Sequence, residues 1–77
     1  MPKIVPISYK QLIKIFVKEN FIYQRTKGDH MILTKTGVSR PLVVPKYREI
    51  PVFVIKNLLR TAGINRERYF ELIDDVN

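Results

Sequence analysis

The chain contains no cysteine, and this absence excludes disulfide bridges, zinc ribbons and thiol nucleophiles together. It has one histidine, and one imidazole with a few carboxylates makes a poor metal site, so we expect no metal and no cofactor. Its three glycines stand apart from one another, which excludes a glycine-rich phosphate loop. No apolar run approaches the about 18 residues of a membrane span, and the N-terminus lacks the apolar core of a signal peptide. We therefore expect a cytoplasmic protein with no membrane partner.

Acidic residues are scarce as well. Lysine and arginine number 14 against 7 aspartates and glutamates, which gives a net charge of +7. Residues 1–60 carry 12 of the basic residues and 3 of the acidic ones, so the excess belongs to the body of the chain and the C-terminal remainder is mildly acidic. A basic body attracts polyanions and speeds their capture, although a solvated surface that only keeps the protein soluble would show the same excess.

A chain of 77 residues is long enough for a single domain, 1–77, with a modest core. Apolar residues recur at helical spacing after a capping box at Ser8 and again between Pro51 and Gly63, and a short third helix is expected over 65–76. Between the first two helices, alternating apolar residues and glycine turns predict three strands, at 21–26, 30–35 and 40–45. The order α-β-β-β-α-α predicts an α+β fold, in which a three-stranded antiparallel sheet carries its helices on one face.

The only histidine, His30, follows directly on a glycine turn in the run Lys27-Gly28-Asp29-His30. Imidazole is the side chain that exchanges protons near neutral pH, so acid–base chemistry in this chain would have to pass through it. Cleavage of RNA needs few protein parts, because the 2′-hydroxyl of RNA is its own nucleophile. One general base, worth about 10²–10⁴ in rate, and fixed positive charges beside the phosphate would suffice. Arg25, Lys27 and Lys35 lie near His30 in the sequence and are the candidates for that charge.

Other interpretations of these residues stay open. A histidine at the start of a strand also fits an ordinary surface position with no chemical role. Tyr47, between Lys46 and Arg48 in a polar connection, is a candidate RNA contact, and its alternative is packing over the start of the second helix. Three aromatic residues of the first half have spacings more typical of a core than of a base-stacking surface: Phe16, Phe21 and Tyr23.

Several short patterns occur in a fixed order along the chain: Arg25 and the run 27–30, then Ile32, then Val43-Val44-Pro45, and last the helix and cap of residues 55–64. This ordered set resembles the HicA family of small bacterial and archaeal toxins from toxin–antitoxin pairs. The resemblance implies a fold similar to double-stranded-RNA-binding domains, with a core of about 8–64 and an added C-terminal helix of about 65–76. It also implies RNA binding, metal-independent cleavage of mRNA, and neutralisation by a HicB-like antitoxin. The family's catalytic histidine corresponds to His30 and its turn glycine to Gly28.

The chain departs from the family pattern at two positions. Asp29 stands where the family often has serine, and its carboxylate could either orient the imidazole or repel the phosphate. Met31 stands where many members have a second histidine, so water, a lysine or His30 in turn would protonate the leaving 5′-oxygen. A second hypothesis is therefore a non-catalytic RNA-binding module, and a third is an adaptor whose basic face meets an acidic protein. The expected RNA-binding residues are Arg25, Lys27, Gly28, Asp29, Lys35, Lys46, Tyr47 and Arg48.

Overall fold

Six elements follow one another in the order that the sequence predicts, in a computed structural model that describes residues 3–76. They are α1 (Tyr9–Lys18), β1 (Ile22–Lys27), β2 (His30–Lys35), β3 (Val38–Pro45), α2 (Val52–Ala62) and α3 (Arg66–Val76). The prediction of an α+β fold with a three-stranded antiparallel sheet is confirmed.

The helix ends follow the expected capping chemistry. The Ser8 hydroxyl accepts the Gln11 backbone N–H at 3.3 Å while the Gln11 side chain accepts the Ser8 backbone N–H at 3.2 Å, so the capping box is reciprocal. α2 ends at Gly63, whose φ of 74° lies in the left-handed region that favours glycine. The Asn65 side chain accepts the backbone N–H of Arg68 at 2.8 Å and thereby begins α3.

The sheet is a meander in the order β1-β2-β3, with both pairs antiparallel. β3 begins two residues earlier than the sequence predicts, because Lys35 and Val38 already pair across the second turn. β3 is an edge strand, in agreement with Pro41 and Pro45, since proline cannot donate to a further neighbour. α1 and α2 pack against β3 on one side of the sheet. The largest side chains of the resulting core include Leu12, Ile15, Phe16, Leu33, Leu42, Val44, Ile55, Tyr69 and Leu72.

β1 lies outside the part of the sheet that the helices cover. All six of its side chains are exposed, although Leu33 on β2 is fully buried. Tyr23 pairs with Leu33 and so faces the helix side, yet it is 46% exposed, and the expectation that it joins the core is wrong. Phe16 and Phe21 are buried as expected, with their rings edge to face at 5.7 Å. Tyr23 is exposed because α1 and α2 pack over β3, at the edge of the sheet opposite β1.

α3 packs against α1 and thereby completes the core. Tyr69 and Leu72 supply its buried face. At its surface the Arg68 guanidinium is paired with Glu19, the C-cap residue of α1, and the Lys18 ammonium lies 3.6 Å from the Asp75 carboxylate. The two ion pairs thus run in opposite directions, with one cation on α3 and the other on α1, and both link the two helices at their surface.

Candidate nucleic-acid interface

The loop between β1 and β2 consists of two residues, Gly28 and Asp29. Gly28 has a φ of 58° and Asp29 has none in the positive range, which is the pattern of a type II′ turn. A Cβ at Gly28 would meet no atom within 4 Å, so the backbone angle and not crowding requires glycine here. Lys27 and His30 pair directly across this turn. The tight turn thus fixes where the imidazole is presented.

Two of the predicted cations share the face of His30. Because partners across a sheet point to the same side, Lys27 lies on the His30 side, and Arg25, the partner of Ile32, lies there too. This surface, which we call the outer face, is the side of the sheet opposite the helices. His30 is exposed, and none of the described residues forms a hydrogen bond with its imidazole. The ring is therefore open to a ligand on a face that carries two cations.

The connection after β3 is joined to the same turn. The backbone N–H of Lys46 donates to the carbonyl of Asp29 at 2.8 Å. The carbonyl of Tyr47 accepts the backbone N–H of Tyr9, at the start of α1, at 3.0 Å. The Lys46 ammonium lies 5.8 Å from the centre of the Tyr9 ring, which places it over the beginning of α1. Residues 46–48 are exposed, so the loop extends the basic surface from the turn toward α1.

Tyr47 lies against the start of α1 through its backbone, and the residue is 49% exposed. The alternative that this residue packs over the start of the second helix stays a prediction. The exposed residue remains available to a ligand.

Lys35 is separated from this group. It ends β2 while His30 begins it, about 16 Å away at the rise of an extended strand. Its ammonium lies 5.5 Å from the centre of the buried Phe21 ring, on the helix side of the sheet. Of the three candidate cations named from the sequence, Lys35 is therefore the one that the structure does not bring beside His30. Positions 30 and 35 are five residues apart on one strand, so alternation sends Lys35 to the face opposite His30, although the two residues are close in sequence.

A shallow cavity of about 490 Å³ adjoins Arg25 on the outer face. Its floor includes Ile32, and the Gln24 side-chain amide donates to the Thr34 hydroxyl at 2.7 Å along one wall. Ile32 also pairs with Val43, which is 42% exposed. The outer face thus combines cations with an apolar strip, a combination that binds a phosphate backbone and packs against ribose or bases.

The turn carboxylate makes no hydrogen bond with the imidazole. Asp29 contributes its backbone carbonyl to the Lys46 bond, and within residues 3–76 no hydrogen bond joins its side chain to His30. Across the same span, no three histidine, aspartate or glutamate side chains cluster as metal ligands would. The chemistry open to this arrangement is proton transfer by one imidazole beside fixed cations.

Two features of the site had no local signal in the sequence. The bond between Lys46 and Asp29 joins the connection after β3 to the turn between β1 and β2, and the bridge between Ile7 and Ile50 helps to place residues 46–50. Both contacts are long-range, so only the packed sheet reveals that the basic loop at 46–48 belongs to the His30 turn.

The fold and the site define a small, basic α+β protein with one exposed histidine at a hairpin turn. The chain belongs to the family described as HicA toxin of bacterial toxin–antitoxin, whose model matches residues 9–64. Membership gives the chain a role as a toxin and implies a cognate antitoxin as its partner. None of the curated proteins matches the chain. Among residues 3–76, no helix is both long enough and apolar enough to cross a membrane.

Proposed function

We propose that this toxin cleaves mRNA by a metal-independent reaction in which His30 is the general base. The observation that carries the proposal is the exposed imidazole, without a hydrogen-bond partner among the described residues, on the same face as Arg25 and Lys27. RNA supplies the nucleophile, so the protein needs only a base, positive charge and a surface that holds the backbone. The turn and the outer face offer a candidate for each of these three parts, which supports the proposal.

In the proposed reaction, an unprotonated ring nitrogen of His30 takes the proton of the ribose 2′-hydroxyl. The 2′-oxygen attacks the adjacent phosphorus, the bond from phosphorus to the 5′-oxygen breaks, and the products are a 2′,3′-cyclic phosphate and a 5′-hydroxyl. The leaving oxygen takes its proton from water, from a lysine or from the imidazolium just formed. Lys27 and Arg25 stabilise the charge that develops on the phosphate oxygens. Gly28 leaves the turn without a side chain where the RNA backbone approaches.

Beyond the reacting phosphate, we propose that Lys46, Tyr47 and Arg48 contact the neighbouring nucleotides. Their loop is tied to the turn through the Lys46 amide, so a strand bound at His30 would pass it next. Lys35 would contribute to RNA binding only through the general field of the protein, because it lies on the other face. We further propose that residues 8–64 form the functional domain and that α3 supports it structurally.

The test is a comparison of His30→Ala with the wild type for growth arrest and for RNA degradation by purified protein in the presence of a chelator. Loss of the base is expected to lower the cleavage rate by about 10²–10⁴. Ser39→Ala, an exposed position on β3, is the matched control and should cleave like the wild type. Equal activity of wild type and His30→Ala would remove the imidazole from the mechanism.

A second candidate is a non-catalytic RNA-binding module, and the carboxylate of Asp29 is the observation that favours it. This side chain lies in the turn, next to the place proposed for the phosphate, where its charge would oppose the anion. Asp29→Ser removes the charge and restores the residue common in the family. If the wild type binds RNA without cleaving it while Asp29→Ser cleaves, the natural protein is a non-catalytic RNA-binding module. If both cleave, the toxin proposal stands.

We propose that the cognate antitoxin is HicB-like and that it covers the outer face and the His30 turn, since this surface is both basic and the site of the chemistry. An acidic inhibitor surface would be captured quickly by this field.

A further inference from the structure

The edge of the sheet at β1 is open, and its backbone can accept another strand. β1 is the terminal strand of the sheet on that side, and all six of its side chains are exposed. The opposite edge, at β3, contains Pro41 and Pro45, which cannot donate hydrogen bonds to a new neighbour. Strand addition is therefore possible along β1 and is hindered along β3.

The register identifies the backbone groups on the open edge. Lys27 closes the two-residue turn, so its N–H and C=O point toward β2. Alternation then directs the N–H and C=O of Thr26 outward, and past the bulge at Gln24 those of Tyr23 as well. A polypeptide strand can form hydrogen bonds with both the donors and the acceptors of this edge, whereas an RNA backbone offers almost only acceptors. The edge is suited to protein rather than RNA.

The side chains of β1 show what kind of strand fits. Ile22 is 62% exposed and Tyr23 is 46% exposed, on opposite sides of the strand, so an added strand would cover apolar surface on both faces. Arg25 and Lys27 follow along the same strand with no ion-pair partner among the described residues. In a second copy paired antiparallel in the register centred on Thr26, Arg25 would lie opposite Lys27, and like charges directly across strands destabilise pairing. An acidic strand has no such repulsion.

We infer that the cognate antitoxin docks by adding an extended, acidic segment to the β1 edge. The inference rests on the proposed antitoxin partner and deepens it, since it names the element that binds and the mode of binding. The added strand would lie two strand spacings, about 10 Å, from β2, on which His30 stands. Its end would run past the Gly28 turn, so docking at the edge would also hinder the approach of RNA to the imidazole. Recognition would thus combine backbone pairing, which gives affinity, with charge, which selects the partner.

The experiment uses the full chain and its antitoxin, defined as the protein that co-purifies with it and relieves its toxicity. Thr26→Pro removes the outward N–H, and Thr26→Ala is the matched control because it keeps that N–H and loses only the side chain. We expect the antitoxin affinity of Thr26→Pro to fall at least about tenfold below that of Thr26→Ala. In the wild type, the amide of Thr26 should exchange quickly with solvent when the chain is alone and slowly in the complex.

Amide exchange keeps the inference testable even if Thr26→Pro does not fold, since it needs no variant. Unchanged exchange at Thr26 in the complex, or equal affinities of two folded variants, would overturn the inference. So would protection of that amide in the chain alone at higher concentration, which would assign the edge to a second copy, or protection by RNA but not by the antitoxin. None of these readouts depends on cleavage, so failure of the ribonuclease proposal would be seen separately, in the His30 comparison.

Discussion

At the scale of single residues, burial and hydrogen bonding distinguish two titratable side chains, His30 and Tyr69. His30 is exposed and without a hydrogen-bond partner among the described residues, whereas Tyr69 is almost fully buried and its hydroxyl has no partner within the described protein. The first arrangement leaves a titratable group open to a ligand. The second has a cost in stability, because an unsatisfied buried hydroxyl loses its hydration without a replacement.

Tyr69→Phe is expected to leave the protein at least as stable as the wild type at pH 7, since it removes an unsatisfied hydroxyl and keeps the ring. Burial raises the pKa of Tyr69 from 10.0 to about 12. Because the folded pKa lies above the unfolded one, ionisation of Tyr69 leaves the free energy of unfolding unchanged below pH 10. It lowers that free energy as the pH rises from 10 toward 12. Tyr69→Phe should therefore flatten the alkaline loss of stability.

The measurement is urea unfolding at a series of pH values between 7 and about 12. Tyr47→Phe, at an exposed tyrosine, serves as the control and should follow the wild-type curve. A Tyr69→Phe protein that is clearly less stable at pH 7 would show that the hydroxyl makes a favourable interaction.

At the scale of elements, α3 shows how an added helix is attached to a small domain. Its contact with α1 combines the buried Leu72 with two exposed ion pairs, Arg68 with Glu19 and Lys18 with Asp75. The hydrogen bond to Glu19 raises the pKa of Arg68, and Glu71 adds to the effect. Both pairs lie in solvent, where ion pairs contribute little, so apolar burial should hold the helix.

Leu72→Ala is expected to lower the free energy of unfolding by about 2–5 kcal/mol, a large share for a domain of this size. Arg68→Gln, which breaks the ion pair but leaves the apolar contact, should cause a much smaller loss. Thermal and urea unfolding of both variants provide the measurement. If Arg68→Gln proved as damaging as Leu72→Ala, the ion pairs would be the main attachment of α3.

At the scale of the whole molecule, folding separates the charges that the sequence interleaves. Three acidic residues, Glu19, Glu71 and Asp75, pair with cations of α1 and α3. On the outer face Arg25 and Lys27 have no such pairing among the described residues. Arg25 and Lys27 therefore contribute unpaired positive charge at the outer face, beside the His30 turn.

Removing one cation that contacts a phosphate should reduce the slope of log binding constant against log salt concentration by about one. We expect this for Lys27→Ala, tested in a His30→Ala background so that the RNA stays intact. Lys18→Ala is the matched control, because the Lys18 ammonium lies 3.6 Å from Asp75 and on α1, and it should leave the slope nearly unchanged. Binding isotherms at several salt concentrations measure both. Equal slopes for the two variants would mean that the affinity for RNA depends only on the net charge of the protein and not on the position of the cation.

The sequence by itself determined the order of the elements, the helix caps at Ser8 and Gly63, and the choice of His30 as the one candidate base. Each of these depends on residues a few positions apart, where spacing and capping chemistry act directly. Only the tertiary structure decided that the Lys46 loop joins the turn and that β1 stays uncovered. These outcomes depend on strand register and on which part of the sheet the helices cover, and both are set by contacts between residues far apart in the chain.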